Sequence, residues 1–298
     1  MKNIQKFKAP RGSLFIPGGA TGVLLIHSLG GSPLELKFVA QCLARQGHTV
    51  YCPVISGLTF GTDVSGMSTW RDWYQAVEAA FDDLSKACST VIIGGASAGA
   101  TLALRLASHR QDDAAGLLLF APTLSVNGWA IPWTLKFFHL VSDKWTARLF
   151  RFRTPAPYGI KDERVRNFAL DAMKGDDAMP TDITVRGGGA VFEFFRLVRN
   201  VRPLLSRIRL HTMIFHPRDD DQSDLRNTLS LQRKLSGMVE VCVLEDSYHL
   251  VTLDRQRNYV ADRGIDFVDR VFARAVAKPA AAETAAPAKT QTMHGAAE

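Results

Sequence analysis

At 298 residues, with 46% hydrophobic and 22% charged residues, the chain is long enough to bury a full core and has no apolar run approaching a membrane span. Net charge is +7, and the stretch from Ser125 to Leu210 holds 15 Lys and Arg against 8 Asp and Glu, a surplus equal to that of the whole chain. No recognised nucleic-acid motif accompanies this charge, so the partners it suggests are an acidic carrier protein or an anionic lipid surface rather than nucleic acid. Basic residues at the N-terminus are not followed by the apolar core of a signal peptide, so a cytoplasmic protein is expected. Cys42, Cys52, Cys88 and Cys242 are scattered, without C-x-x-C spacing, which points to free thiols and to neither a zinc site nor a disulfide framework. No cofactor and no metal is expected.

In chain order, an edge strand at 14–17 is followed by the run Gly22-Val23-Leu24-Leu25-Ile26-His27, apolar enough for a strand buried on both faces of a parallel sheet. Ser28-Leu29-Gly30-Gly31-Ser32-Pro33 forms a loop, with Ser32 as N-cap and Pro33 in the first turn of a helix over 34–45. A strand at 48–53 leads through a Gly/Thr/Ser-rich loop to a helix over 69–86. There Trp70, Trp73, Val77, Ala80, Phe81 and Leu84 recur at the spacing of one buried face. The β-branched run Thr90-Val91-Ile92-Ile93 then turns through Gly94-Gly95-Ala96-Ser97-Ala98-Gly99 into a helix, and a strand follows at 114–121.

The strand–helix rhythm breaks at 125, where the chain becomes aromatic and basic. Helical pieces are expected around 134–141, 162–174 and 190–201, and Gly187-Gly188-Gly189 reads as a hinge or a surface loop. Alternation resumes with a strand at 211–215, a helix over 223–235, a strand at 239–244 and a helix over 256–276. The division expected is therefore an α/β core over 1–124 and 210–276, a cap over 125–209 above the carboxyl end of the sheet, and a disordered Ala/Pro/Thr-rich tail over 277–298.

Gly95-Ala96-Ser97-Ala98-Gly99 between a strand and a helix has the form of a nucleophile elbow: the serine stands on a strained turn, and small residues let strand and helix approach. Ser97 is the candidate nucleophile. A serine hydroxyl needs a base, and the base needs a group that fixes its tautomer. His249, on the loop after the strand at 239–244, occupies the sheet edge where Ser97 emerges and is the candidate base. The acid is expected after the preceding strand, where Asp219, Asp220 and Asp221 stand together and pattern does not separate them; the two left over are available to cap the next helix. Backbone N–H groups of Ala98 and Leu29 are the candidate oxyanion donors, one following the nucleophile and one on the Gly-rich loop after the first core strand.

The set Leu25-Ile26-His27-Ser28-Leu29-Gly30-Gly31-Ser32-Pro33, Gly95-Ala96-Ser97-Ala98-Gly99, Arg218-Asp219-Asp220-Asp221 and Asp246-Ser247-Tyr248-His249 resembles the α/β-hydrolase superfamily, and within it bacterial carboxylesterases and monoacylglycerol lipases. The resemblance implies an α/β fold with a mostly parallel sheet, helices on both faces and an inserted, mainly helical cap. It also selects Asp220 as the third triad member. Where such relatives carry His-Gly, this chain has His27-Ser28, and Gln222-Ser223 replaces an apolar pair after the aspartates. The expected activity is hydrolysis of a small-molecule acyl ester through an acyl-enzyme on Ser97. The alternatives are a thioesterase or acyltransferase working on a carrier-bound acyl group, and a non-catalytic ligand-binding member of the fold.

Overall fold

The structure, a computed structural model, describes residues 7–62, 67–174 and 185–284. The first half alternates β1 (Leu14–Ile16), β2 (Thr21–Ile26), α1 (Lys37–Arg45), β3 (Thr49–Cys52), α2 (Trp70–Ala87), β4 (Thr90–Ala96), α3 (Ala98–Arg110) and β5 (Gly116–Phe120). A long excursion follows, containing α4 (Lys144–Arg148), β6 (Arg151–Arg153), α5 (Glu163–Lys174), β7 (Val185–Gly187) and α6 (Gly188–Val201). The chain then completes the sheet with β8 (Thr212–Pro217), α7 (Arg226–Lys234), β9 (Val239–Leu244) and α8 (Arg257–Thr284). The seven-stranded sheet has the order β1-β3-β2-β4-β5-β8-β9, and every pairing is parallel except β1 with β3.

Strands buried on both faces explain the near-continuous apolar runs. Along β2, Leu24 and Ile26 pack toward Trp73 and Phe81 of α2 and Leu104 of α3, whereas Val23 and Leu25 join Val39 and Leu43 of α1 and Phe267 of α8. The period of two thus feeds two cores from one strand. On α2, all six apolar residues at helical spacing are buried. Its start is fixed by Thr69, which accepts the Asp72 N–H while Asp72 accepts from Thr69 N, a reciprocal cap of two otherwise orphaned donors. The four cysteines are free; Cys52 and Cys88 are buried, and Cys42 and Cys242 half-buried.

The excursion, expected to be mainly helical, is not made of helices alone. Besides its helices it contains the antiparallel pair β6 and β7, with Arg151 opposite Gly187 and Arg153 opposite Val185. Gly187-Gly188-Gly189 is neither a loop nor a free hinge: Gly187 closes β7, and Gly188 opens α6 so close to α4 that a Cβ on it would collide with the Ala147 carbonyl. Phe138, Ala147, Val191 and Phe192 make a small core of the excursion's own, joined by Phe152, whose ring lies 4.7 Å from that of Phe138. At the other end, α8 runs past 276 to Thr284, consistent with the high helix propensity of its alanines; 285–298 lie outside the described residues.

Candidate active site

Parallel pairing puts the carboxyl ends of β2, β4, β5, β8 and β9 on one edge. Ile26 is in register with Gly95, Ala96 with Phe120, Phe120 with Phe215, and Pro217 with Leu244. The segments leaving this edge are the loop at 27–31, the corner at 97, the segment 121–124 and the loops at 218–222 and 245–249. They carry every residue singled out from the sequence.

Ser97 sits between β4 and α3 with φ +53° and ψ −114°, a conformation that non-glycine residues adopt only under constraint. The constraint is visible: Ser97 N–H donates to Phe120 O at 2.9 Å, a Cβ on Gly95 would collide with the Gly99 backbone, and one on Gly99 would collide with the carbonyls of Ile26 and His27. The hydroxyl of Ser97 lies 3.1 Å from Thr123 Oγ1, which is itself 3.2 Å from the Ala121 carbonyl. Because that carbonyl can only accept, Ser97 donates to Thr123 and Thr123 to Ala121.

His249 is buried, and its Nδ1 donates to Asp220, 2.8 Å from Oδ2 and 3.0 Å from Oδ1. Its Nε2 is buried with no hydrogen-bond partner among the described residues. Burial alone would lower the pKa of this imidazole, but the Asp220 carboxylate outweighs it and holds the group above 6.5. The same contact acts on Asp220, where burial pushes upward but His249 and the N–H of Ser223 keep the carboxyl below its ordinary range. His216 approaches Asp220 Oδ2 to 3.4 Å from behind, yet its Nε2 donates to Ser223 O and its Nδ1 accepts from Thr228. It is therefore neutral, with its pKa lowered by burial.

The three aspartates separate. Asp219 is exposed, and its carbonyl accepts from the Trp129 indole. Asp220 faces His249. Asp221 is buried and takes the backbone N–H of His249 at 3.3 Å and that of Gly159, in the excursion, at 2.8 Å. Neither spare aspartate caps α7, as the sequence reading had allowed; Asp224, with Arg226 N–H at 3.1 Å, stands there instead.

The loop at 27–31 is fixed from beneath. Buried His27 donates from Nδ1 to Ser28 O and accepts at Nε2 from Thr59, and desolvation lowers its pKa to about 4, so it is neutral. Glu35 receives the Ser28 N–H at 2.5 Å and the Ser28 hydroxyl at 2.8 Å. The N–H groups of Leu29 and Ala98 donate to no other group among the described residues. The close contact of Gly99 with Ile26 and His27 lays the N-terminus of α3, with its partial positive charge, against this loop.

Several residues of the site had not been singled out from the sequence. Thr123 bonds the Ser97 hydroxyl. Asp254, buried, accepts the backbone N–H groups of Tyr248, Lys161, Asp162 and Arg255 at 2.7–2.9 Å, tying the His249 loop to the excursion. Arg186 on β7 donates to the Leu29 carbonyl. No sequence spacing marks these; they meet only through tertiary packing. Among the described residues no cluster of His, Cys, Asp and Glu could hold a metal ion.

Comparison with known proteins agrees with this architecture. A thermostable monoacylglycerol lipase of Bacillus sp. (strain H-257) is 26% identical over 256 residues, 85% of this chain and 92% of that protein. Among solved structures, one reported for two metagenome-derived lipolytic enzymes, LipS and LipT, superposes with a TM-score of 0.70 at 23% identity, covering 88% of this chain and all of that one. The monoacylglycerol lipase of Paleococcus ferrophilus superposes with a TM-score of 0.67 at 15% identity, covering 87% and 98%. These likenesses show the α/β-hydrolase fold. Residues 20–256 match the family described as serine aminopeptidase, S33, and the chain belongs to that family of α/β-hydrolases.

Proposed function

We propose that the protein is a serine esterase acting on carboxylic esters of small molecules. The observation that carries this reading is His249, held by Asp220 at Nδ1 and unpartnered at Nε2, on the same sheet edge as a serine in a strained corner. In the resting arrangement Ser97 donates to Thr123. Rotation of its side chain brings the hydroxyl to His249 Nε2, which takes the proton as Oγ attacks the ester carbonyl carbon. The carbonyl oxygen becomes an oxyanion and accepts from the Leu29 and Ala98 N–H groups, donors worth roughly 10²–10³ in rate each. His249, now an imidazolium stabilised by Asp220, gives the proton to the leaving alcohol, and the acyl group remains on Ser97. Water activated by the same imidazole then releases the acid.

Support for an ester substrate comes from the kinship with a protein named a monoacylglycerol lipase. The thioesterase or acyltransferase alternative uses the same residues on a carrier-bound acyl group and rests only on the basic charge of residues 125–210. The exposed aromatics of that region favour an anionic lipid surface over an acidic carrier as its partner. Trp133, Leu140, Trp145 and Phe168 are each between 68% and 75% exposed, and water-facing apolar groups interleaved with cations match a headgroup boundary.

Initial rates on p-nitrophenyl esters of increasing acyl length, and on a monoacylglycerol, test the reading. Turnover is expected in the wild type, is expected to vanish in Ser97→Ala, and in Asp220→Asn to fall about 10⁴-fold. Absence of wild-type turnover on every ester, with turnover of an acyl-carrier thioester, would replace it with the alternative.

A further inference from the structure

The loop carrying Leu29 is gripped from two sides. On the core side stand Glu35, with both Ser28 donors, and the Leu58 carbonyl, which accepts the Gly30 N–H at 2.8 Å. On the other side is Arg186, reaching from β7. Its Nε donates to Leu29 O at 2.9 Å, and its Nη1 donates to Thr154 Oγ1 at 2.8 Å. Thr154 directly follows β6, the strand paired with β7, so the guanidinium is braced from both strands of one antiparallel pair. Gly30 lies under it at φ +70°, and a Cβ there would stand 3.2 Å from Arg186 Nε; a Cβ on Gly31 would collide with the Glu35 carboxylate. The Gly30-Gly31 dipeptide thus threads between a buried carboxylate and a guanidinium, and any side chain on it would prise them apart.

The charge at this position is not explained by the hydrogen bonds. Both acceptors are neutral oxygens, which an uncharged donor would satisfy without the cost of withdrawing a guanidinium from water. Glu35, Asp221 and His249 all lie within the field of Arg186. A cation at this point opposes the imidazolium of His249 and favours negative charge on the substrate oxygen that Leu29 would receive.

We propose that Arg186 is a positioning residue for the hydrolysis: by holding the Leu29–Gly30 peptide from the excursion it limits rotation of the adjoining Ser28–Leu29 peptide, which carries the Leu29 N–H, so that the oxyanion hole is complete only when the β6–β7 pair is seated on the core. This rests on the esterase reading for the role of Leu29. Catalytic competence and the seating of the β6–β7 pair are then one event, because one guanidinium on β7 bonds both the Leu29 carbonyl and Thr154 beside β6.

The test compares wild type, Arg186→Met, Arg186→Lys and Thr154→Val in three readouts: kcat and KM on a p-nitrophenyl ester, the pH profile of kcat/KM, and amide exchange of the 28–31 segment without substrate. Arg186→Met is expected to lower kcat by about tenfold or more with KM little changed, in line with loss of an aligned oxyanion donor. Its acid limb moves to higher pH, because a cation opposing the imidazolium is gone, and exchange at 28–31 accelerates. Arg186→Lys returns the acid limb toward wild type while restoring only part of kcat, since an ammonium does not reproduce the planar two-armed grip. Thr154→Val leaves the charge in place and removes one brace: kcat falls a few-fold and the limb stays put, which keeps the idea testable should Arg186→Met misfold. A rise in KM at unchanged kcat would make Arg186 a substrate contact and overturn the proposal, as would unchanged exchange at 28–31. Wild-type turnover that Ser97→Ala abolishes but Arg186→Met leaves intact overturns this inference alone. Absence of wild-type turnover overturns the esterase reading, and the exchange comparison still decides whether Arg186 holds the loop.

Discussion

At His249 two opposed effects act on one buried imidazole. Its burial disfavours the imidazolium, and Asp220, in direct contact, favours it more strongly, so the group titrates above 6.5. A base must be neutral to take the Ser97 proton. The expected kcat/KM profile, measured from about pH 5 to 9, therefore falls on the acid side with a midpoint above 6.5. In Asp220→Asn the stabilising charge is lost and the limb of the residual activity moves to lower pH, the opposite direction from Arg186→Met. A limb that did not move in Asp220→Asn would mean that some other group titrates. His27 titrates at about 4, and burial lowers His216 as well, so neither is expected to set a midpoint that lies above 6.5. At this scale the sequence was informative where chemistry coincides with an element boundary. Ser97 and His249 could be singled out because each lies on the segment that follows a recognisable strand. Asp220 could not be told from its two neighbours, because what aims it at His249 is a turn in which its own carboxylate accepts the Gln222 and Ser223 N–H groups. Thr123 and Arg186 left no local trace.

Among the elements, the sheet and its helices were legible because their periodicities are strong and continuous, and the β6–β7 pair was not. Arg-Phe-Arg and Val-Arg-Gly are three-residue strands without alternation long enough to register. Three adjacent glycines also suggested a loop where packing against α4 in fact builds the start of α6. The connection of the His249 loop to the excursion was invisible for the same reason. Asp254 collects four backbone N–H groups from both sides of that junction, and removing it leaves these part-buried donors without their acceptor, at a cost below the about 1–3 kcal/mol of a fully buried one. Asp254→Ala is expected to lose about 2–4 kcal/mol in urea unfolding and to lose turnover beyond what that explains, as the His249 loop relaxes. Asp254→Asn, which keeps one acceptor oxygen, falls between. Wild-type stability in the Ala variant would show that water replaces the carboxylate without loss.

Across the whole molecule, charge and exposed apolar surface coincide. The positive excess lies in the 125–210 stretch, and that stretch also presents Trp133 at 68%, Phe137 at 56%, Leu140 at 68%, Trp145 at 70% and Leu149 at 83% exposure. Arg148, stacked over Trp145 at 5.2 Å, shows the two kinds of group side by side. The sequence displayed this composition but not its exposure: Trp70, Trp73 and Phe81 on α2 are buried, whereas the excursion buries Phe138 and Phe192 and exposes Trp133, Phe137 and Trp145. Only packing separates the two cases. A surface of this kind gains from both terms at an anionic membrane, with about 1 kcal/mol per cation near the surface and further gain from each inserted ring. The protein is therefore expected to co-sediment with vesicles containing anionic lipid and much less with purely zwitterionic ones, and added salt should weaken the binding. Trp145→Ser with Leu149→Ser should reduce binding at all salt concentrations while leaving hydrolysis of a water-soluble short ester unchanged, because neither residue belongs to the site. Equal binding to both kinds of vesicle would remove the electrostatic part of the argument, and unchanged binding by the double variant would remove the apolar part.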